Sequence, residues 1–566
     1  MTNVTRPLNP TADGTERPNT TITVDALVDS GNEVFGTPEL HYPKRINAAD
    51  VMVDDHVRGG RGDSVAIYFE DEEITYGELH ERTNRLGNAL RDLGVRPGNR
   101  VFVRFPNRPE YVVACLAIQK VGAIPVPSMK LLQTTEVEYV LNDSGARFAV
   151  VYEDLLGPVE EADAAGLEEV LVVETSDTDH DYLSYADVVD GQSTALSVQD
   201  THRDDFALLA YTSGTTGQPK GTVHTHRQLL SITDAYARNC LEPTADDVFG
   251  GNPPIAFTFG YGLLVAFPFR FGASTCLVED QTPEALLEAV DEYGISIIGS
   301  VPTAYNQMLA LDAETTYDLS SLRTGISAGE PLPSDTYDRV LEEFGIELLD
   351  GIGTTEMLHI FISDRASDEV DPTATGYPVP GYECKVADPE TGEELDRGEP
   401  GVLMVRGPTT VSYWNRSDKQ LEAVHDGWSI PGDIFVHRED GRFVHQSRRD
   451  DLIITSGYNV PGPQVEEVLQ ELDTVRESAV VASPDEIRGT IVKAFVVLAD
   501  GTEASEDLTD RLQTYVKGQI APYKYPREIE YVDDLPMTES GKIQRAKLRE
   551  REYGDDGDSQ SPLIAD

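Results

Sequence analysis

Short, nearly continuous apolar runs alternate with helical patterns along most of the chain. RVFVRF (100–105), AIPVP (123–127), ARFAVVY (146–152), EVLVVE (169–174), DFALLAYTSG (205–214) and ISIIGSVP (295–302) read as strands, and PEYVVACLAIQKVG (109–122) as a helix. Runs that are apolar at successive positions mark strands buried on both faces, so the pattern predicts layered α/β structure. In residues 76–94, Leu79, Leu86, Leu90 and Leu93 fall near one helical face and Gly94 supplies a stop. The first 40 or so residues are polar and unpatterned, and the segment from 553 to 566 is acidic, so both ends are expected to be loose.

A chain of 566 residues exceeds what one hydrophobic core organises, which predicts at least two domains. No apolar stretch approaches the roughly 20 residues of a membrane helix, and the N-terminus lacks a secretory pattern. A soluble, cytoplasmic protein with no membrane partner is expected. Cys115, Cys240, Cys276 and Cys384 are scattered without ligand or disulfide spacing, as suits thiols in a reducing compartment.

Charge changes the picture more. With 100 acidic against 45 basic residues, the formal charge is −55, spread along the chain. That excludes nucleic acid as a partner and predicts a halophilic host, where molar salt screens the self-repulsion. The carboxylates do not cluster into a ligand-spaced cation loop.

The segment YTSGTTGQPKGTVHTH (211–226) follows the apolar run FALLA. A strand running into a Gly/Ser/Thr loop presents backbone N–H groups and hydroxyls to an anion, and Lys220 adds a positive charge. The P-loop pattern is not matched, because Gln218 and Pro219 separate Gly217 from Lys220.

This run resembles the signature loop of the adenylate-forming superfamily of acyl-CoA synthetases, luciferases and adenylation domains. Four further segments follow in the family's order: DGIGTTEMLHIF (350–361), PGD (431–433), RRDDLIITSGYN (448–459) and PMTESGKIQR (536–545). The resemblance covers about residues 45–550. It implies a large multi-layer α/β N-terminal domain (41–447) and a small mobile α+β C-terminal domain (448–552).

The resemblance also implies the reaction: an acid and ATP form an acyl-adenylate, and the thiol of coenzyme A then displaces AMP. ATP, Mg²⁺ and coenzyme A are the expected cofactors, and a small carboxylic acid the substrate. Joining two anions calls for positioning and charge neutralisation rather than a protein nucleophile. By resemblance, Thr212, Ser213, Gly214, Thr215, Thr216 and Gly217 cover the ATP phosphates together with Lys220. Glu356 associates with Mg²⁺, beside Thr354 and Thr355. Asp433 holds the ribose hydroxyls, with Pro431 where the family often has Thr, and Arg448 contacts the nucleotide. Gly329, Glu330 and Pro331, with Asp350, Gly351, Ile352 and Gly353, lie near adenine. Asp450 is the hinge, Lys542 bridges the carboxylate and the α-phosphate, and Ser456, Gly457 and Tyr458 face coenzyme A. Ile454 and Gln464 depart from the family's frequent Lys and Glu.

The acyl pocket is expected from PIAFTFGYGLLVAFPF (254–269) and the segment around Glu356. Phe257, Phe259 and Tyr261 would frame a flat slot, with His359 at its edge. The combination resembles the benzoate and 2-aminobenzoate-CoA ligase branch most. Medium-chain or short branched acyl-CoA synthetases, a carrier-protein-loading enzyme and a non-catalytic acyl-nucleotide sensor are the alternatives.

Overall fold

The computed structural model describes residues 40–173, 182–212, 219–311, 316–389, 391–448, 452–455, 458–485, 489–520, 524–537 and 542–553. Apart from Leu40 and Tyr553, the two ends expected to be loose lie outside these residues. The chain packs as two compact units, one from residues up to 212, 219–384 and 405–429, the other from 385–404 and 430–553.

Among the described residues, the first unit holds a nine-stranded sheet. Its core strands, Val248–Gly251, Ile297–Ser300, Thr324–Ala328 and Leu348–Gly353, run parallel, while Ile360–Ser363 returns antiparallel beside Leu348–Gly353. A second, parallel sheet joins Ile124–Ser128, Arg100–Arg104, Phe148–Tyr152, Glu169–Val173 and Leu183–Ser184. Phe206–Thr212 and Lys220–Thr225 form an antiparallel hairpin. The predicted strands all form, and Arg100–Arg104, Ile124–Ser128 and Phe148–Tyr152 are buried at every position, as their unbroken apolar runs require.

The helix Tyr76–Asp92 starts at a capping box, in which the Thr75 hydroxyl accepts from the Glu78 N–H and the Glu78 carboxylate accepts from the Thr75 N–H. Leu79, Leu86 and Leu90 are buried, and Gly94 takes φ +97° just beyond the end. Pro109–Lys120 is enclosed almost all round, which explains its nearly uniform apolar character.

The second unit contains the strand pair Asp433–His437 and Phe443–Arg448, a three-stranded sheet of Val475–Asp485, Gly489–Leu498 and Glu528–Tyr531, and helices Gly462–Gln470 and Glu506–Gln519. Val465, Leu469, Val480, Val492, Val496, Leu512 and Val516 form its core. The mixed fold, a large N-terminal part with a smaller C-terminal one, agrees with the sequence expectation. No described helix is long and apolar enough to cross a membrane.

Candidate active site

Thr212 and Lys220 face each other at the open end of the hairpin, and the Lys220 N–H donates to the Thr212 hydroxyl at 3.4 Å. Ser213, Gly214, Thr215, Thr216 and Gly217 lie outside the described residues. Tyr211, one residue before Thr212, is anchored by a 2.7 Å bond from its hydroxyl to Asp143.

Residues 350–359 descend from the parallel strand Leu348–Gly353 and turn into Ile360–Ser363. Gly351 and Gly353 pack so closely on that return strand that a Cβ on Gly351 would sit 2.7 Å from the Ile360 side chain. One on Gly353 would sit 2.7 Å from the His359 backbone. The backbone N–H of Met357 donates to the Thr354 hydroxyl, and Leu358, fully buried, takes φ +71°. A left-handed Leu is unfavourable, so the packing around this buried residue must hold the turn between Glu356 and His359.

Glu356 is part-buried and accepts a 3.1 Å hydrogen bond at Oε1 from the Tyr413 hydroxyl. The Thr355 carbonyl accepts from the Thr222 hydroxyl at 3.5 Å, tying this turn to the strand that begins with Lys220. The Thr222 hydroxyl also lies 3.3 Å from Nε2 of the buried His224. Among the described residues, no cluster of three or more His, Cys, Asp or Glu is placed to hold an ion. A single carboxylate with neighbouring oxygen donors nevertheless fits Mg²⁺, which commonly takes one or two carboxylates and completes its shell with water and substrate phosphates.

Around the expected adenine site, Gly329 takes φ +90° after the strand Thr324–Ala328. The Glu330 carboxylate accepts at 2.8 Å from the Thr303 hydroxyl, and Pro331 is exposed. Ile352 lies opposite Ile362 in the ladder. Desolvation pushes the Asp350 carboxyl up to about 7, aided by Asp364 and opposed by hydrogen bonds from the Gly351 backbone and the Thr375 side chain.

His359 is 3% exposed and sits among three rings, with centroids at 4.6 Å for Phe267, 5.4 Å for Tyr236 and 5.8 Å for Phe259. Both ring nitrogens are buried, and the Phe259 backbone is a polar neighbour of the ring. Desolvation holds the imidazole down at about 3, with the Phe259 backbone opposing, so it is neutral near pH 7. The structure thus brings Phe259 and His359 together. Tyr261 instead accepts a 2.8 Å bond from Gln119, which also donates to the Ala207 carbonyl. Residues 259 and 261 lie in a short helix two positions apart, so their side chains diverge. Phe257 is half-buried just before that helix. Tyr236, from Thr233–Leu241, was absent from the sequence reading, whereas Phe267, from Phe267–Phe271, lies in the expected pocket segment 254–269 without having been singled out.

In the second unit, Asp433 and Arg448 occupy facing positions on adjacent antiparallel strands, and Arg448 Nη1 lies 3.0 Å from Asp433 Oδ2. The same Nη1 donates to the Pro431 carbonyl at 3.1 Å, a contact that needs no hydroxyl at position 431. His445 Nε2 is 3.5 Å from the other Asp433 oxygen.

Lys542 is exposed, at the end of a turn closed by the Met537–Ile543 bridge and a 2.7 Å bond from the Gln544 N–H to the Pro536 carbonyl. Arg545 anchors that turn through two bonds, of 3.0 and 2.5 Å, to the buried carboxylate of Glu466. Sequence reasoning missed Glu466, although it follows Gln464 in the same helix. Gln464 itself accepts from Lys524 at 2.5 Å. Asp450, Ser456 and Gly457 lie outside the described residues. Tyr458 begins the strand Tyr458–Pro461.

The fold is that of an adenylate-forming enzyme. Residues 53–414 match the family model of the AMP-binding enzyme, and residues 464–542 that of the AMP-binding enzyme C-terminal domain. The chain belongs to this family. It is 38% identical to the benzoate–CoA ligase of Thauera aromatica, over 90% of this chain and 97% of the relative. Among solved structures, the anthranilate CoA ligase AuaEII in complex with anthranoyl-AMP superposes with a TM-score of 0.85 at 34% identity, covering 91% of this chain and 99% of that one. A benzoate CoA ligase from Burkholderia xenovorans LB400 gives 0.80 at 35%, covering 89% and 100%.

Proposed function

We infer that this protein is an ATP-dependent acid–CoA ligase acting on an aromatic acid of the benzoate or 2-aminobenzoate type. A carboxylate oxygen attacks the α-phosphorus of ATP, and the bond to pyrophosphate breaks. The thiol of coenzyme A, losing its proton, then attacks the acyl carbon, and the bond to AMP breaks. Lys220 and the loop before it neutralise phosphate charge, Glu356 holds Mg²⁺, Asp433 and Arg448 hold the nucleotide, and Lys542 spans the reacting carboxylate and phosphate. Mg²⁺ when bound supplies charge neutralisation at the phosphate oxygens.

The observation that carries the aromatic assignment is the neutral His359, enclosed by Phe259, Phe267 and Tyr236 three residues beyond Glu356. Flat apolar walls favour a planar ring, and a neutral imidazole among them favours one bearing a polar substituent. The named relatives, two benzoate ligases and an anthranilate ligase, point the same way. On this reading the partners are small molecules, with neither nucleic acid nor membrane among them. The unbridged thiols of Cys115, Cys240, Cys276 and Cys384 support a cytoplasmic location. The test is AMP formation with free coenzyme A across aromatic, linear and branched acids in concentrated KCl. A tenfold preference for octanoate or a short branched acid overturns the aromatic assignment; no thioester with any acid overturns the ligase reading.

A further inference from the structure

Tyr413 lies outside every motif singled out in the sequence, yet it touches two residues of the candidate phosphate site. Its backbone is fixed first. Segment 412–414 runs beside the strand Lys220–Thr225: the Val223 N–H donates to the Ser412 carbonyl at 2.9 Å, the Trp414 N–H donates to the Gly221 carbonyl at 2.7 Å, and Thr222 bridges antiparallel to Tyr413. The buried Trp414 pins the segment by donating from Nε1 to the Asp143 carbonyl at 3.0 Å. Gly221 permits this close approach, since a Cβ there would lie 3.2 Å from the Trp414 Cβ.

With the backbone held, the side chain reaches both charged residues. The phenol donates to Glu356 Oε1 at 3.1 Å, and the Lys220 ammonium lies 5.8 Å from the ring centroid, within cation–π range. Glu356 and Lys220 are 136 positions apart in sequence, and the ring links their side chains beside the Thr222–Thr355 contact that links their segments. The phenol engages one carboxylate oxygen and thereby aims the group, fixing where Oε2 can meet a cation.

We propose that Tyr413 is a positioning residue that orients Glu356 for Mg²⁺ and holds Lys220 in register with it, so that metal and phosphate are bound as one unit. The proposal rests on the reading of Glu356 as the Mg²⁺ carboxylate. Removing the hydroxyl leaves the ring beneath Lys220, so Tyr413→Phe should act on the metal-dependent part of nucleotide binding and spare the metal-free part.

The test is calorimetric binding of α,β-methylene-ATP, which is not cleaved at the α-phosphorus, in MgCl₂ and in EDTA. Wild-type protein gains affinity with Mg²⁺. In Tyr413→Phe that gain should shrink by about tenfold, the scale of a hydrogen bond to a charged group, while binding in EDTA and the melting temperature stay put. Tyr413→Leu should weaken binding in EDTA as well, through the lost ring beneath Lys220. Glu356→Gln should shrink the Mg²⁺ gain, and adding Tyr413→Phe to it should cost little more. An undiminished gain in Tyr413→Phe, with Glu356→Gln diminished, overturns the positioning role alone. An undiminished gain in Glu356→Gln overturns the reading of Glu356 and the proposal with it.

Discussion

Asp433 and Arg448 face each other across two antiparallel strands, and the guanidinium meets the carboxylate at 3.0 Å. Asp433 is 3% exposed, and Arg448 and His445 are the basic side chains beside its two oxygens. The pair is therefore both a structural clamp and a ready acceptor–donor combination for a nucleotide. Asp433→Asn keeps the shape and removes the charge. It should raise the KM for ATP by about tenfold or more and lower the melting temperature, since it breaks a buried pair. A large loss of stability with ATP binding intact would reduce Asp433 to a scaffold residue.

Burial predicts the acid limb of stability. Desolvation holds His224, His226 and His359 each down at about 3, whereas each would take a proton near pH 6.5 when unfolded. Between these values the unfolded chain binds about three more protons at these sites. Asp350, raised to about 7, binds one more in the folded state, and Asp143, raised by desolvation, trims the difference further. The balance favours the unfolded chain as pH falls. Stability should hold above pH ~6.5 and drop by up to ~3 kcal/mol per pH unit below it. Denaturant melts from pH 7 to 5 at constant KCl check this, and a flat profile contradicts it.

How much of this was readable beforehand follows from locality. The strands and the helix Tyr76–Asp92 were legible because continuous apolar runs, and a leucine face ended by Gly94, act within a few residues. Lys220 and Glu356 were legible as motif residues, but the ring between them was not, because Tyr413 reaches them only through long-range strand pairing with Thr222. Tyr236 was hidden for a similar reason, and Phe267 was not singled out within its segment: aromatic residues in buried helical segments look like core until tertiary packing sets them around His359. Tyr261 shows the converse, an aromatic residue conspicuous in sequence whose hydroxyl is committed to Gln119.

Lys542 should matter for one half-reaction. If it spans the carboxylate and the α-phosphate, Lys542→Ala should slow acyl-adenylate formation by about 10²-fold or more, while thioester formation from supplied acyl-adenylate and coenzyme A continues. Glu466→Gln should mimic this more weakly, because Arg545 then loses its buried partner and the turn bearing Lys542 loosens. It should also destabilise the protein by about 3 kcal/mol, the cost of breaking a buried pair. Equal loss in both half-reactions for Lys542→Ala counts against the assigned role.

The charge of −55 predicts a salt requirement. Diluting KCl from molar to ~0.1 M lengthens the screening distance to about 10 Å, so carboxylates that ignore one another in brine begin to repel. Melting temperature and activity should both decline on dilution, more with KCl removed than with osmolarity matched by sucrose. An unchanged melting temperature in dilute buffer removes the halophilic reading.

The sharpest test of the acyl pocket lies in a glycine. Gly262 has an ordinary helical φ of −61°, so alanine there costs nothing in backbone conformation. A Cβ at this position would nevertheless stand 2.3 Å from His359 Cδ2 and 3.2 Å from the Phe267 ring. His359 cannot simply swing aside, because Tyr236, Phe259 and Phe267 already surround it. Gly262→Ala must therefore displace the imidazole, at a stability cost of about 1–3 kcal/mol typical of overpacking. If His359 lines the acid site, kcat/KM for benzoate and 2-aminobenzoate should fall by about tenfold or more, with the KM for ATP nearly constant. His359→Ala relieves the clash, so Gly262→Ala in that background should recover stability without restoring preference for the ring-substituted acid. If Gly262→Ala loses stability yet keeps wild-type selectivity among acids, His359 belongs to the core alone and the aromatic slot must be sought elsewhere.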